Sequence, residues 1–373
     1  MRGPAVQPIV IAAGGTGGHF FPAEALAATL VKRGHRIVLM TDARSGGMSS
    51  AVFAGREQFV LRGAGIAGRG AWRGVKAVGS LATGVLQARG ILARIGAGCV
   101  VGFGGYPCVA PVLATGLIRK RPAVLLHEQN AVLGRANRFL ARRVDLLALG
   151  FPNTTRVRPG LRTEVTGNPV RQAIAALAAT EYSVATNRIR LLILGGSLGA
   201  RVLSDVVPTA IRALPDALRA RIDVAQQARA EDLERVRTAY AAEGIAAEVS
   251  PFFPDVAARL AVAHLVIARA GASTVAELAV AGRPSILVPL PGAIDDHQSA
   301  NARELARTRG AWVLPQPLFT PAVLTERLTA LLSDPAGLAA AAVAARALAR
   351  ADAASRLADL VEALMAVRAG ESA

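Results

Sequence analysis

The chain carries the same local pattern twice: an apolar strand, a glycine-rich loop and the start of a helix. In the first copy Ile9–Ala12 runs into Gly14–His19, and in the second Leu191–Leu194 runs into Gly195–Ala200. Loops of this kind direct backbone N–H groups toward an anion. Because the copies open the two halves of a 373-residue chain, they predict two doubly wound α/β domains, each with a ligand loop at the edge of a parallel sheet.

The domain limits follow from where the apolar periodicity lapses, between Gly167 and Asn187, and from an Ala-rich helical stretch after Asp334. We therefore expect a first domain over residues 1–168 and a second over 169–340. A helical tail over 341–373 completes the chain, and folds of this type allow it to cross back to the first domain.

The formal charge of +17 lies entirely in the first half. Residues 1–171 hold 23 Lys and Arg against 6 Asp and Glu, whereas the remainder is balanced. This asymmetry favours an anionic partner. Aromatic residues make up only 4% of the chain and do not interleave with basic stretches, so nucleic acid is disfavoured.

Two segments associate apolar and basic side chains, the helical pattern over residues 71–94 and the run from Leu117 to Arg121. Both suit docking on an anionic lipid surface. For the helix, a core-facing role with a charged outer face is an equal alternative.

Several function classes lack their signatures. The first glycine loop has Phe20 where a dinucleotide fingerprint needs its third glycine, and no lysine follows a glycine as in a phosphate-binding P-loop. Asp42, at the end of a predicted strand, resembles the acidic residue that binds the ribose in NAD enzymes, so a weak dinucleotide-binding alternative stays open.

Cys99 and Cys108 are too few for a disulfide framework and lack metal-ligand spacing. We expect neither a secretion signal nor a transmembrane helix.

Polar residues follow further predicted strands. Gly104-Gly105-Tyr106 and His127–Asn130 should meet the first glycine loop at one crevice, because parallel strands end at the same sheet edge. His127 itself fits a core position, whereas Glu128 and Asn130 suit the crevice. In the second half the turn Arg269–Thr274 precedes a helix for which Ser273 or Thr274 is a natural N-cap.

Together these motifs, with Gly167–Arg171, Glu277 and Asp295–Gln298, closely resemble the MurG family of peptidoglycan N-acetylglucosaminyltransferases over nearly the whole chain. The resemblance implies the GT-B fold, in which two Rossmann-like domains face a central cleft. It also implies inverting transfer of GlcNAc from UDP-GlcNAc to the C4 hydroxyl of MurNAc in lipid I, giving lipid II. The first domain would take the acceptor and the membrane, and the second the donor.

The resemblance also assigns residues. Donor-binding residues would be Thr16, Gly17, Gly18, Asn130, Arg171, Ser197, Phe253, Ala272, Ser273, Thr274, Val275, Ala276, Glu277 and Gln298, with Phe253 beside the uracil and Gln298 on the sugar. Acceptor-binding residues would be Gly14, Gly15 and Tyr106. His19 and Glu128 compete as the catalytic base, and His19 is favoured. Leu198 and Ser273 replace residues common in the family.

Neither a metal nor a cofactor is expected. The expected partners are UDP-GlcNAc, lipid I, an anionic membrane surface and other proteins of cell-wall synthesis, at the cytoplasmic face of the inner membrane. Three alternatives remain beside the dinucleotide one, an oxidoreductase: a UDP-sugar 2-epimerase, a transferase with another lipid acceptor, and a non-catalytic nucleotide-sugar sensor.

Overall fold

The computed structural model describes residues 7–14, 17–42, 50–61, 71–196 and 199–370, without the side chains of 71–77. The chain forms two compact units. The first comprises Met1–Arg171 together with Asp352–Ala373, and the second Gln172–Ala351. The first division lies close to the boundary expected at residue 168, whereas the second lies at residue 351 rather than 340.

The first unit is built on seven parallel strands, of which five are buried along their whole length. The strands are β1 Ile9–Ala12, β2 Ile37–Thr41, β3 Gln58–Val60, β4 Cys99–Gly102, β5 Ala123–Glu128, β6 Leu146–Leu149 and β7 Thr163–Val165. Their order is β3-β2-β1-β4-β5-β6-β7. Continuous apolar runs are typical of parallel strands covered on both faces, and the helices that cover them are α1 Gly17–Lys32, α2 Ala71–Ile95, α3 Val109–Thr115 and α4 Arg135–Leu140.

The second unit repeats this scheme with six parallel strands in the order β10-β9-β8-β11-β12-β13. Its strands are β8 Ile189–Leu194, β9 Ile222–Gln227, β10 Ala246–Ser250, β11 Leu265–Ala268, β12 Ser285–Leu287 and β13 Ala311–Val313. Its helices are α5 Gln172–Ala175, α6 Arg201–Arg212, α7 Asp216–Arg219, α8 Leu233–Ala241, α9 Val256–Val262, α10 Ala272–Ala281, α11 His297–Arg307, α12 Pro321–Leu332 and α13 Pro335–Arg346.

The last helix, α14 Ala353–Gly370, belongs to the first unit. It packs on α1, and its residues Leu357, Ala358, Val361 and Leu364 are buried in the core of that unit. Arg33 at the end of α1 donates hydrogen bonds to Asp359 (2.7 Å) and Glu362 (2.8 Å) on α14. The first unit is therefore completed by the end of the chain.

Both sheets reverse their strand order beside their first strand, between β1 and β4 and between β8 and β11. Ligands of open α/β sheets bind at such a switch point, beyond the carboxyl ends of the strands. Both predicted glycine loops follow the first strand of their sheet, so the fold places each at a switch point. Within the described part of the chain, no single helix is long and apolar enough to cross a membrane, although α12 and α13 pass that test as a bent pair.

Candidate active site

The first glycine loop leads directly into α1. Gly14 is buried, Gly17 is the first residue of the helix and Gly18 is exposed, whereas Gly15 and Thr16 lie outside the described residues. A Cβ on Gly17 would come within 2.8 Å of the Phe21 ring. Glycine at position 17 therefore makes room for the Phe21 ring one turn along the same helix, and the first-turn N–H groups of α1 lie at the positive end of the helix dipole.

Arg171 lies beside this loop. Its guanidinium stands over the Phe21 ring, 5.3 Å from the ring centroid. A cation over an aromatic face is attracted by the negative charge on that face, which holds the guanidinium in place. Arg171 thus brings positive charge close to the first glycine loop.

His19, in the first turn of α1, contacts two of the other predicted segments. Its Nδ1 lies 2.8 Å from Oε1 of Gln129. Its ring also packs against the turn after β4, where Gly104 and Gly105 have φ values of 77° and 66°, and a Cβ on Gly105 would be 3.4 Å from Nε2 of His19. Tyr106 continues this turn and is half-buried. The structure therefore brings together the segments that the topology predicted to meet.

His127 occupies the core position expected for it. The imidazole is fully buried within β5, lies 5.5 Å from the Phe103 ring and is hydrogen-bonded through Nε2 to the Gly167 carbonyl oxygen (3.0 Å). Burial penalises the charged imidazolium and lowers the pKa of His127 to about 4. The group is therefore neutral at physiological pH.

Glu128 has its carboxylate committed to the loop that follows it. Oε1 accepts hydrogen bonds from the backbone N–H (2.9 Å) and side-chain amide (3.1 Å) of Asn130. Oε2 accepts from the Gly134 N–H (2.8 Å) and the Asn137 amide (2.9 Å). Four donors use the four lone-pair sites of a carboxylate, and the residue is only 2% exposed. Glu128 therefore organises the loop and holds Asn130, rather than facing a ligand.

Two contributors were not singled out from the sequence. Gln129 connects His19 to His127, and the buried Asn137 on α4 donates to Glu128. A role for Asn137 could be predicted, because it is a polar residue at a helical position that faces the core, and a buried polar side chain needs a hydrogen-bond partner. For Gln129 the signal was its place in a run of four polar residues after an apolar strand.

The glycine loop of the second unit is held by a neighbouring strand. The Gly195 N–H donates to Oε1 of Gln227 (3.1 Å), and a Cβ on Gly195 would come within 2.6 Å of the Ala200 nitrogen. Ser197 and Leu198 lie outside the described residues. A cavity of about 320 Å³ adjoins this loop, with Gly199, Gln227 and Arg229 among its lining residues.

The helix after β11 begins two residues earlier than a cap at Ser273 predicts. Gly271 is the N-cap of α10, so Ser273 and Thr274 lie in the first turn and are not caps, as the sequence had suggested. Because glycine offers no capping side chain, the first-turn N–H groups are available to an anion. Of the donor-binding residues predicted here, Ser273, Thr274, Ala276 and Glu277 are half-buried, whereas the side chains of Ala272 and Val275 are buried. Val275 can meet a ligand only through its backbone.

Gln298 is oriented by two backbone amides. Its Oε1 accepts from the N–H groups of Ala270 (3.2 Å) and Leu290 (3.0 Å). Both lone pairs of this oxygen are thereby used, so the Gln298 side chain can bind a ligand only as a hydrogen-bond donor, through Nε2. Asn301, one turn further along α11, donates to the Ala270 carbonyl oxygen (3.1 Å) and fixes the same turn.

The prediction for Phe253 needs a correction. Its ring is 2% exposed and covered by the guanidinium of Arg259, 3.9 Å from the centroid. A buried and covered ring cannot lie against a uracil, so such a contact falls to the backbone of Phe253 or to the ring of Phe252, which is 62% exposed.

The described residues contain no group of three or more His, Cys, Asp or Glu side chains placed to hold a metal ion. Positive charge at the two loops comes instead from arginines and helix N-termini. In the second unit, the buried Arg269 donates to the carbonyl oxygens of Val288 (3.1 Å) and Pro289 (3.2 Å). Burial and the nearby Arg229 lower its pKa, although an arginine remains charged.

Comparisons with known proteins agree with this arrangement. Residues 9–148 match the glycosyltransferase family 28 N-terminal domain, and residues 190–357 match the C-terminal domain of that family. A UDP-N-acetylglucosamine–N-acetylmuramyl-(pentapeptide) pyrophosphoryl-undecaprenol N-acetylglucosamine transferase of Granulibacter bethesdensis is 63% identical over 97% of this chain and 94% of its own length. The enzyme of the same name from Acidiphilium cryptum is 55% identical over 99% of this chain and its own full length.

Among solved structures, MurG of Acinetobacter baumannii aligns with a TM-score of 0.78 and 30% identity over 95% of this chain and 99% of that one. The predicted GT-B class of two Rossmann-like domains is confirmed, and so is the hexosyltransferase class. The chain belongs to glycosyltransferase family 28 and, within it, to the MurG family.

Proposed function

We infer that the protein transfers GlcNAc from UDP-GlcNAc, with inversion, to the C4 hydroxyl of MurNAc in undecaprenyl-diphosphate-linked lipid I, giving lipid II. The observation that carries this inference is the 63% identity, over nearly the whole chain, to a relative whose name states this transfer. The two switch-point loops support it, since one site is needed for the donor and one for the acceptor.

In this proposal the second unit binds UDP-GlcNAc. The uncapped first turn of α10 offers N–H groups to the diphosphate, and Glu277 in the same helix accepts hydrogen bonds from the ribose hydroxyls. Gln298 donates from Nε2 to the GlcNAc. As the bond to the sugar breaks, negative charge builds on the departing diphosphate. The N-terminus of α10 stabilises this charge without needing to reorganise.

The first unit binds the acceptor, with Gly14, Gly15 and Tyr106 at its loops, and His19 acts as the general base. Inverting transfer needs a base that removes the proton of the attacking hydroxyl. His19 faces the Gly104-Gly105 turn at the switch point, and its ring is half-buried. Glu128 is the weaker candidate because its carboxylate already accepts four hydrogen bonds.

The direct test combines purified protein, radiolabelled UDP-GlcNAc and a short-chain lipid I analogue. We expect label to appear in a disaccharide on the lipid, with the β configuration that inversion of an α-linked donor produces. Release of labelled ManNAc without acceptor would indicate a 2-epimerase. Binding of UDP-GlcNAc without product from any lipid acceptor would indicate a sensor, and either result would overturn the proposal.

We propose further that the first unit docks on an anionic membrane through a basic–apolar surface formed by Leu86, Arg89, Leu117, Arg119 and Lys120. Leu86 and Leu117 are 62% and 52% exposed. Arg89 donates from Nε to the Leu117 carbonyl oxygen (3.1 Å), which joins α2 to the end of α3. Apolar groups at headgroup depth with cations around them are the chemistry of peripheral docking.

The neighbouring Arg121 does not belong to this surface. It pairs with Asp145 (2.8 Å), which also accepts from Arg368 on α14. Replacing Arg121 would therefore disturb the fold as well as the charge, and a test of docking should leave it in place.

Replacing Arg119 and Lys120 together by Gln should weaken binding to phosphatidylglycerol-containing vesicles by at least about tenfold at low salt, because each cation near such a surface contributes about 1 kcal/mol. Vesicle co-sedimentation measures the change. A matched control replaces Arg212 and Arg327 of the second unit by Gln and should bind as the native protein does. Equal binding by both variants would remove the basic–apolar surface from the proposal.

A further inference from the structure

A continuous set of hydrogen bonds leads from the backbone at Gly167 to the ring of His19. From it we infer that Gln129 and His127 are positioning residues, which keep the proton of His19 on Nδ1 and the lone pair on Nε2. This inference rests on the proposed role of His19 as the base. At the buried end of this set, only one arrangement of hydrogens is possible.

The Gly167 carbonyl oxygen fixes the tautomer of His127. A carbonyl oxygen can only accept, so Nε2 of His127, 3.0 Å away, must carry the hydrogen. The Thr166 hydroxyl donates to the same oxygen (3.0 Å), which fills its second lone pair. Because the buried imidazole is neutral, its Nδ1 carries a lone pair and must accept a hydrogen bond.

Gln129 supplies that bond and is thereby oriented. Its Nε2 lies 3.0 Å from Nδ1 of His127 and 3.0 Å from the His127 carbonyl oxygen, so both amide hydrogens have acceptors. A flipped amide would place oxygen against two acceptors. The backbone of Gln129 is also held, since Asn168 donates to its carbonyl oxygen (2.9 Å). Oε1 of Gln129 must therefore face His19.

The last step fixes His19. Its Nδ1 lies 2.8 Å from an oxygen that can only accept, so Nδ1 carries the hydrogen and Nε2 of the neutral ring carries the lone pair. In water a histidine side chain prefers the opposite tautomer. The hydrogen bonds thus favour the form with a basic Nε2, the nitrogen beside Gly105, where the missing side chain leaves room at the ring.

An orienting partner matters because a base in the wrong tautomer presents a hydrogen where a lone pair is needed. Gln129 is 1% exposed and His127 is fully buried, so neither reaches the substrate. Their contribution acts through His19 alone. We therefore expect changes at either position to lower kcat and to leave the KM for UDP-GlcNAc unchanged.

The test compares Gln129→Met with the native protein. Methionine keeps the volume and removes all three side-chain hydrogen bonds of Gln129, so kcat should fall by about tenfold, a smaller loss than that from removing the base itself. The ring-nitrogen shifts of 15N-histidine-labelled protein, assigned with His19→Gln, report the tautomer without turnover. We expect hydrogen on Nδ1 of His19 in the native protein and a shift toward hydrogen on Nε2 in the variant.

His127→Phe is the second variant. It tests the same positioning role if Gln129→Met does not fold, as judged by circular dichroism and Tm. It removes the Nδ1 acceptor but keeps the bond from Gln129 to the backbone carbonyl oxygen of residue 127, so the amide is held less firmly. We therefore expect a mixture of His19 tautomers and a smaller loss of kcat. Thr115→Val is the matched control. It removes a buried hydrogen bond of the same unit (2.7 Å, to Val112) and should leave kcat and the His19 signals unchanged.

The outcomes separate this inference from the proposed function. Turnover that survives His19→Ala overturns the assignment of the base. An inactive His19→Ala together with native kcat and native His19 signals in Gln129→Met overturns the positioning role alone. Hydrogen on Nε2 of His19 in the native protein also overturns it.

Discussion

Replacing His19 by alanine should reduce kcat by at least about a hundredfold, because the acceptor hydroxyl loses the group that removes its proton. The affinity for UDP-GlcNAc should stay the same, since the groups proposed to hold the diphosphate, the ribose and the sugar (the first turn of α10, Glu277 and Gln298) lie in the second unit. Steady-state assays with the lipid I analogue measure kcat, and isothermal titration with UDP-GlcNAc measures donor binding.

A matched control for this change is His35→Ala. His35 follows α1 at the opposite end of the helix from His19, and its Nε2 lies 2.7 Å from Glu362 on α14. Its loss removes a histidine from the same unit without touching the switch point, so turnover should be retained. If both variants turn over at the native rate, the base is another group. If His19→Ala also loses donor binding, the change has disturbed more than proton transfer.

The free energy of unfolding should fall as the pH drops from 6.5 toward 4, and His127 should account for up to about 3 kcal/mol of that loss. In the unfolded chain the histidine takes up its proton near pH 6.5, whereas burial lowers the pKa to about 4 in the folded protein. Between these values the unfolded state binds more protons, so acid favours unfolding. Below pH 4 both states are protonated and the loss is complete.

Urea denaturation followed by circular dichroism, repeated across this range, measures the effect. His127→Phe should show a flatter dependence on pH than the native protein, and His297→Phe, at a histidine near the surface, should keep the native slope. His264, whose pKa is also lowered by burial, contributes equally in all three proteins and cancels. Equal slopes for His127→Phe and the native protein would contradict a neutral, buried His127.

The interior strands of both sheets could be predicted from the sequence, whereas one edge strand of each sheet could not. Strands such as β1 and β4 are uninterrupted apolar runs because helices cover both faces. The edge strands β7 and β10 were missed, since most of their residues face solvent and Glu164 and Glu248 interrupt any apolar pattern. The break between α13 and α14 also escaped prediction, because it falls in an Ala-rich stretch without glycine or proline.

At the site, the sequence predicted where the loops lie but not which hydrogen bonds and ring contacts each side chain makes. Parallel topology alone predicts that the segments after β1, β4 and β5 meet. Whether Glu128 faces a ligand depends on Gly134 and Asn137, which satisfy its carboxylate from a later loop and helix. The orientation of Phe253 depends likewise on Arg259. Such long-range pairings have no periodicity that a single sequence reveals.

The return of α14 sets an order of events during synthesis. All seven strands of the first sheet leave the ribosome before the second unit is made, yet the helix that covers α1 emerges last. Until then, the core that α1 and α14 share, which includes Leu26 and Leu30, lacks the apolar side chains of α14. The nascent first unit thus stays exposed to chaperones and proteases while the second unit folds. A chain truncated before Asp352 would lack the helix that completes the first unit.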